Sequence, residues 1–294
     1  MATKKATSTK KSKTTTSKKP TTKKVETIVT TEVKPVKKLA STKPKKAALF
    51  QSRSALLGAS IGEFIGTFML VAVALATQAN PLIVSFALVA IVLTIGTLSG
   101  AHVNPLITVG AWATRKISHL RAGAYLLAQT LGGMLALVVM SRFAELTAAA
   151  QDAAASSHAL GLNVPQLFKV QAISPDTPNI WYIVFAELLA TIIFGFVVAS
   201  AMRETRDRTA QAFTIGFGLL VALTIAGGAA VFAGGAVLAN PAVALGVQAI
   251  DWTNLSNFWP MLTYIAMPLF GGVVGFFLYD VLRTERDEDT TLQK

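Results

Sequence analysis

The stretch AHVNPLITVG, residues 101–110, sets an Asn-Pro pair inside an apolar run, and LANPAVALG, residues 238–246, repeats that pair 136 positions later. Proline suits the first helical position and Asn before it is a strong N-cap, so Asn104-Pro105 and Asn240-Pro241 each read as a helix start. The apolar stretches that open there, 104–114 and 240–250, have 11 residues each. At about 1.5 Å per residue they reach roughly half way through a hydrocarbon layer about 30 Å thick. Irregular backbone at that depth is tolerated only where it is buried in protein or lines a water-filled cavity.

Composition sets the surroundings. Of 294 residues 52% are hydrophobic and 14% charged, with a mean hydropathy of +0.54, whereas soluble domains carry about 25% charged residues. Six segments are apolar over the roughly 20 residues a spanning helix needs: 55–79, 81–99, 120–140, 180–201, 210–232 and 258–282. The expected fold class is an all-α membrane protein with six transmembrane helices and two re-entrant half-helices.

Charge is concentrated at one end of the chain. Residues 1–46 hold 15 of the 27 Lys and Arg and only two acids, Glu26 and Glu32, so the rest of the chain balances at −1 out of the total of +12. A segment such as KKATSTKKSKTTTSKK lacks the apolar residues that offset chain ordering, so 1–54 is expected to be a disordered tail. It does not have the layout of a secretory signal, because the apolar run begins only near Ala55. The channel domain is placed at 55–282 and a short C-terminal tail at 283–294. With no cysteine and only His102, His119 and His158, no metal cluster, cofactor or thiol nucleophile is indicated. The bare G-x-G of Gly216 and Gly218 lies inside a span and carries no nucleotide signal.

Basic residues recur in alternate connections: Arg115, Lys116 and Arg121, then Arg203, Arg206 and Arg208, then Arg283 and Arg286. By the positive-inside tendency these ends, and both termini, are cytoplasmic. An internal repeat is also legible. GEFIGTFMLVAV opens the first span and AELLATIIFGFVV lies in the fourth, with Glu63 and Thr67 matching Glu187 and Thr191. Each half continues through a second span, an Asn-Pro half-helix and a third span. Three spans per half is odd, so the halves run in opposite directions through the membrane. Half-helices entering from opposite faces then meet N-terminus to N-terminus, each presenting roughly half an elementary positive charge. Cations and protons are disfavoured at such a point, and a neutral molecule with an acceptor oxygen is not.

Both Asn-Pro motifs, together with GEFIGTF, SGAHVNP, AYLLAQTLGG (124–133), AELLAT and MPLFGGVVGFFLY (267–279), occur in one order and spacing. In these the chain resembles the aquaporin, or major intrinsic protein, family over about residues 55–282. The resemblance implies a passive, non-enzymatic channel for water or small neutral solutes such as glycerol. It also implies a homotetramer with one pore per subunit in the plasma membrane. Asn104, Pro105, Leu106, Asn240, Pro241 and Ala242 form the two pore motifs. Glu63 and Glu187 are intramembrane carboxylates, which are costly and often functional; the resemblance favours a buttress for the re-entrant loops over a proton relay, and it makes His102 a loop-stabilising residue. Gly62, Gly66, Gly271 and Gly275 read as close-packing positions.

The chain also departs from the family pattern. Family members usually carry Arg three residues after the second Asn, where this chain has Val243. Family spacing places the other constriction positions at Val84, Gly228 and Val237. A filter of Val, Gly, Val and Val is wider and less polar than a strict water filter. Leu106 stands where Ala is usual, adding three carbons beside the central site, and Phe232 is an aromatic near the outer mouth. An ion-coupled secondary transporter is the rival class, since inverted repeats with broken helices occur there too; no intramembrane Asp, Lys or Arg accompanies the two Glu residues to support it. For the basic tail, anionic lipid headgroups are favoured as partners over nucleic acid, because the tail emerges beside a membrane.

Overall fold

The computed structural model describes residues 45–153, 166–250 and 256–292. Residues 1–44 of the basic tail, and the disorder expected of them, lie outside the described residues. Among the described residues nine α-helical segments follow in order: α1 (Lys45–Ala76), α2 (Pro81–Ser99), α3 (Pro105–Ala113), α4 (His119–Ala153), α5 (Ile180–Ala201), α6 (Arg208–Phe232), α7 (Pro241–Gly246), α8 (Trp259–Met261) and α9 (Met267–Leu292), with a π-helical turn, Leu262–Ala266, joining α8 to α9. Six stretches among the described residues are long and apolar enough to cross a membrane. The chain is a multi-pass, all-helical membrane protein.

The second and fourth spans have the bounds expected from the sequence, and three other helices run longer. Helix α1 starts at Lys45, ten residues ahead of the expected boundary, so the tail assigned to 1–54 is helical over its last part. Helix α4 continues to Ala153 instead of stopping near 140, and α9 runs through to Leu292, past the expected tail boundary. Hydropathy marks where apolar sequence stops, not where the backbone ladder stops. The half-helices are shorter than the apolar runs, with nine residues in α3 and six in α7. Left-handed Arg115 (φ 60°) and Gln248 (φ 56°) turn the chain away just beyond them.

The π-helical turn has a local cause. Pro268 has no N–H to donate to the carbonyl of Tyr264, four residues back, and a widened turn ahead of it absorbs the interruption.

The two halves pack by exchange. Helix α1 lies against α2 and α4, and α5 against α6 and α9; the half-helix of each repeat packs on the third span of the other, α3 on α9 and α7 on α4. A pair of glycines makes each exchange possible. A Cβ on Gly132 would lie 2.4 Å from the Phe64 carbonyl and one on Gly133 2.8 Å from that of Ala242; at the matching positions, Gly271 would meet the Leu188 carbonyl at 3.0 Å and Gly272 that of Leu106 at 2.7 Å. Each pair therefore admits backbone from a first span on one side and from a half-helix on the other. Gly66 and Gly275 are likewise tight, whereas Gly62 makes an ordinary contact.

The ends are tied by polar contacts. At one end Lys116, in the α3–α4 connection, and Arg203, in the α5–α6 connection, both pair with Asp280 of α9. This gathers two of the basic connections at one face. In the α5–α6 connection the backbone N–H groups of Asp207 and Arg206 donate to Glu204, which holds its carboxyl below the usual carboxylate range. Asp207 then caps α6 through the amides of Thr209 and Ala210. At the other end, residues 166–179 fold down onto the helices: Phe168 N–H donates to Leu75 at 3.0 Å, Val170 N–H to Val247 at 3.3 Å, and the Asn257 amide to Ile173 at 2.7 Å.

Candidate pore and its supporting loops

Asn104 and Asn240 each work at both ends of the side chain. The Asn104 oxygen accepts from Leu106 N–H at 3.0 Å, and the Asn240 oxygen from Ala242 N–H at 2.9 Å and Val243 N–H at 3.4 Å, capping α3 and α7. The nitrogens reach across: Asn104 Nδ2 donates to the Ala239 carbonyl at 2.8 Å, and Asn240 Nδ2 to the Val103 carbonyl at 3.0 Å. The two helix starts are thus fastened to each other in a two-fold pattern.

The carbonyls they meet belong to residues in strained backbone. Val103 (φ 41°) and Ala239 (φ 49°) are left-handed, a conformation that costs an L-residue roughly 1–2 kcal/mol. What holds them is a carboxylate in each half. Glu63 accepts from His102 N–H at 2.9 Å and Val103 N–H at 2.6 Å; Glu187 accepts from Leu238 N–H at 2.9 Å and Ala239 N–H at 2.7 Å. Hydrogen bonds to a charged group contribute about 1.5–3 kcal/mol each, enough to offset the strain. Both carboxylates are fully buried.

The first loop carries a second layer that the second loop matches only in part, through Tyr264, which stands where Tyr125 does and donates to the Ala236 carbonyl at 3.4 Å. Gln129 Nε2 donates to Glu63 at 2.7 Å and to Thr108 Oγ1 at 2.9 Å. Thr108 Oγ1 lies 3.1 Å from His102 Nδ1 and 3.3 Å from the Asn104 carbonyl. The His102 ring stands edge-on to Tyr125, whose hydroxyl donates to Ser99 at 2.6 Å. In the inverted overlay, the position of Gln129 is taken by Pro268, which has no side-chain donor.

Beside this junction lies a narrow cavity bounded by 16 residues, of which only His102, Asn104 and Asn240 have polar side chains. Its wall is otherwise Leu70 and Ala74 of α1, Val84 and Leu88 of α2, Ile107 of α3, Phe194 of α5, Leu219 and Leu223 of α6, Val243 of α7, and Ala79, Val103, Val237 and Leu238 of the connecting loops. It shares Ala79, Leu223, Val237 and Leu238 with a wider cavity, which adds Gln78, Thr224, Gly227, Gly228 and Gly235. The two adjoin along that shared wall, the second forming a vestibule to the first.

Of the expected constriction positions, Val84, Val237 and Val243 share the narrow cavity with the Asn pair, and Gly228 does not. Gly228 sits in the vestibule, and α6 contributes Leu223 and Leu219 in its place. Helix α6 runs on to Phe232 before turning at Ala233 and left-handed Gly234 (φ 71°), so counting back from Asn240 falls short by more than a helical turn. Leu106 is also displaced from its expected place: it is fully buried against Gly272 of α9 and does not face the cavity. Pro105 and Pro241 line a separate groove with Leu126, Thr130 and Met261, and Phe232 is 94% exposed and lines neither cavity. Ala242 turns its carbonyl to Gly133.

Sequence reading missed Leu223, Leu88, Gln129 and Thr108. A lone buried amide in the third span was a usable signal for Gln129. Leu223 has none, since α6 is apolar on every side.

Comparison with known proteins agrees with this architecture. The family model described as Major intrinsic protein matches residues 49–279. Aquaporin AqpM of Methanothermobacter thermautotrophicus is 28% identical over 263 residues, covering 76% of this chain and 97% of that protein. Aquaporin TIP1-1 of Arabidopsis thaliana is 28% identical over 265 residues, covering 84% and 94%. Among solved structures, the aquaglyceroporin from Plasmodium falciparum superposes with a TM-score of 0.54 at 20% identity, over 76% of this chain and 93% of that one. With a matching family model over most of its length, and with paired Asn-Pro half-helices cross-bonded at the edge of an apolar cavity, the chain belongs to the major intrinsic protein family.

Proposed function

We infer that the chain is a passive channel for water and small neutral solutes, with charge exclusion at the Asn104–Asn240 junction. It is a channel and not an enzyme. The observation that carries this reading is the pair of reciprocal bonds, Asn104 to Ala239 and Asn240 to Val103, at the wall of the cavity. Each carboxamide has two N–H groups, and the cross-bond occupies one. The second of each is available to an oxygen passing between them. A water that accepts from both has filled its acceptor positions and cannot take a proton from a neighbour, so a proton wire is broken there. A cation meets donors only, next to two helix N-termini. It also has to leave its hydration for a wall of aliphatic side chains, which is far more costly for an ion than for a neutral molecule.

Glu63 and Glu187 act as buttresses in this reading. Their oxygens are occupied by loop N–H groups, and neither residue borders the cavity.

We further propose a plasma-membrane location with both termini cytoplasmic, supported by the basic residues gathered at the Asp280 end, and a homotetramer, supported by family membership. The basic tail fits contact with anionic lipid headgroups. Purified protein in liposomes tests the channel reading: flux of a permeant solute is expected to rise linearly with its gradient and to be indifferent to Na⁺ and pH gradients. Saturable flux driven by an ion gradient would instead identify a coupled transporter.

A further inference from the structure

We propose that the wall outside the Asn pair selects small neutral solutes with fewer polar groups and more hydrocarbon over equally sized solutes with more polar groups. This rests on the channel reading and names its substrate class. Side-chain donors on the path are His102 and the amides of Asn104 and Asn240, and the two amides together can satisfy a single oxygen. Outward of them the wall is Val84, Leu88, Leu223, Val237 and Val243, five side chains from α2, α6, α7 and the loop before it, none with an N–H or O–H. The nearest polar side chains beyond are Gln78 and Thr224 in the vestibule.

A water molecule passes this collar as one oxygen. A molecule of glycerol size spans both levels, so while one hydroxyl is held at the Asn pair, the others lie against aliphatic carbon with their hydrogen bonds to water lost. Replacing those hydroxyls by methyl groups removes that penalty and adds apolar contact with the collar. The vestibule has free space beside α6: a Cβ added at Gly227 or Gly228 would meet nothing within 4 Å. Discrimination therefore follows hydrogen-bonding capacity. Apolar pockets reject an isostere with one extra hydroxyl by up to about a hundredfold, and a partly open collar should reach about tenfold.

The test uses pairs matched in size, acetamide against urea and 1,2-propanediol against glycerol. Uptake is measured by stopped-flow light scattering in liposomes holding the full chain, with the flux of empty liposomes subtracted because bilayers rank such pairs in the same direction. The protein-borne ratio is expected at about ten in favour of acetamide and of propanediol. The double variant Val84→Thr/Val243→Thr, which puts two hydroxyls on the collar at nearly constant width, should bring both ratios toward one. Val84→Ile/Val243→Ile, which narrows the collar without polarity, should lower both members of each pair and preserve the ratios. Water flux in the same vesicles reports that each variant is folded, and if the Thr variant does not insert, the wild-type ratios still decide. Ratios of one or below with water flux present, or ratios unmoved by Thr, overturn this inference alone. Absence of protein-borne flux for water and all four solutes overturns the channel reading beneath it.

Discussion

The side-chain amide of Asn104 donates to the main-chain carbonyl of Ala239 at 2.8 Å, joining the two halves of the chain at their most constrained point. Replacing Asn104 by Ala removes the α3 cap and leaves that buried carbonyl without its donor. The cap contributes about 1 kcal/mol and the orphaned acceptor costs about 1–3 kcal/mol, so a loss of about 2–4 kcal/mol is expected. Denaturant unfolding in detergent measures it, and Asn240→Ala should give a loss of similar size by the two-fold pattern. A loss under about 0.5 kcal/mol at either site would show that the cross-bonds do not fasten the loops.

Glu187→Gln separates a buttress from a proton relay. The amide keeps the side chain's shape but turns one acceptor into a donor facing a backbone N–H. Loss of one charge-assisted bond predicts about 1.5–3 kcal/mol of destabilisation, with proton flux in liposomes unchanged from wild type. A stable variant with altered proton flux would instead assign Glu187 to proton transfer.

The glycine pairs make a contrast with one another. Gly133→Ala and Gly272→Ala drive a methyl to within 2.8 and 2.7 Å of half-helix carbonyls, and overpacking of this kind typically costs about 1–3 kcal/mol. Permeability should fall with stability, because α7 and α3 are what shift. Gly228→Ala has open space around it and should stay within about 0.5 kcal/mol of wild type. Equal effects at all three positions would contradict the packing described.

Val243→Arg places a long cationic side chain on the cavity wall shared with Val84 and Leu223. Permeability to glycerol-sized solutes is expected to drop more than permeability to water, read as separate rates in the same vesicles. Proportional loss of both would mean that position 243 does not set the width.

How far the sequence exposed this design depends on the kind of signal. Proline and Asn are specific in what backbone they allow, so both half-helix starts could be read directly, whereas the buttress role of Glu63 and Glu187 followed from the family resemblance. Hydropathy located six spans but not their ends, since α4 and α9 continue as helix past the apolar stretch. Pore-facing residues on α6 were beyond it: where every face is apolar, nothing in the residue types says which one meets the lumen. Gly228 was placed by counting along a path that bends at Gly234, and Leu106 by assuming that a motif residue faces the cavity, when the tight approach at Gly272 buries it.

Osmotic shrinkage of liposomes containing the purified chain, recorded together with their proton leak, tests the Asn104–Asn240 junction most directly. The prediction is water permeability several-fold above that of empty liposomes with a proton leak equal to theirs. Water permeability no greater than the empty vesicles', or a proton leak that rises in step with it, would contradict a neutral-solute path through that junction.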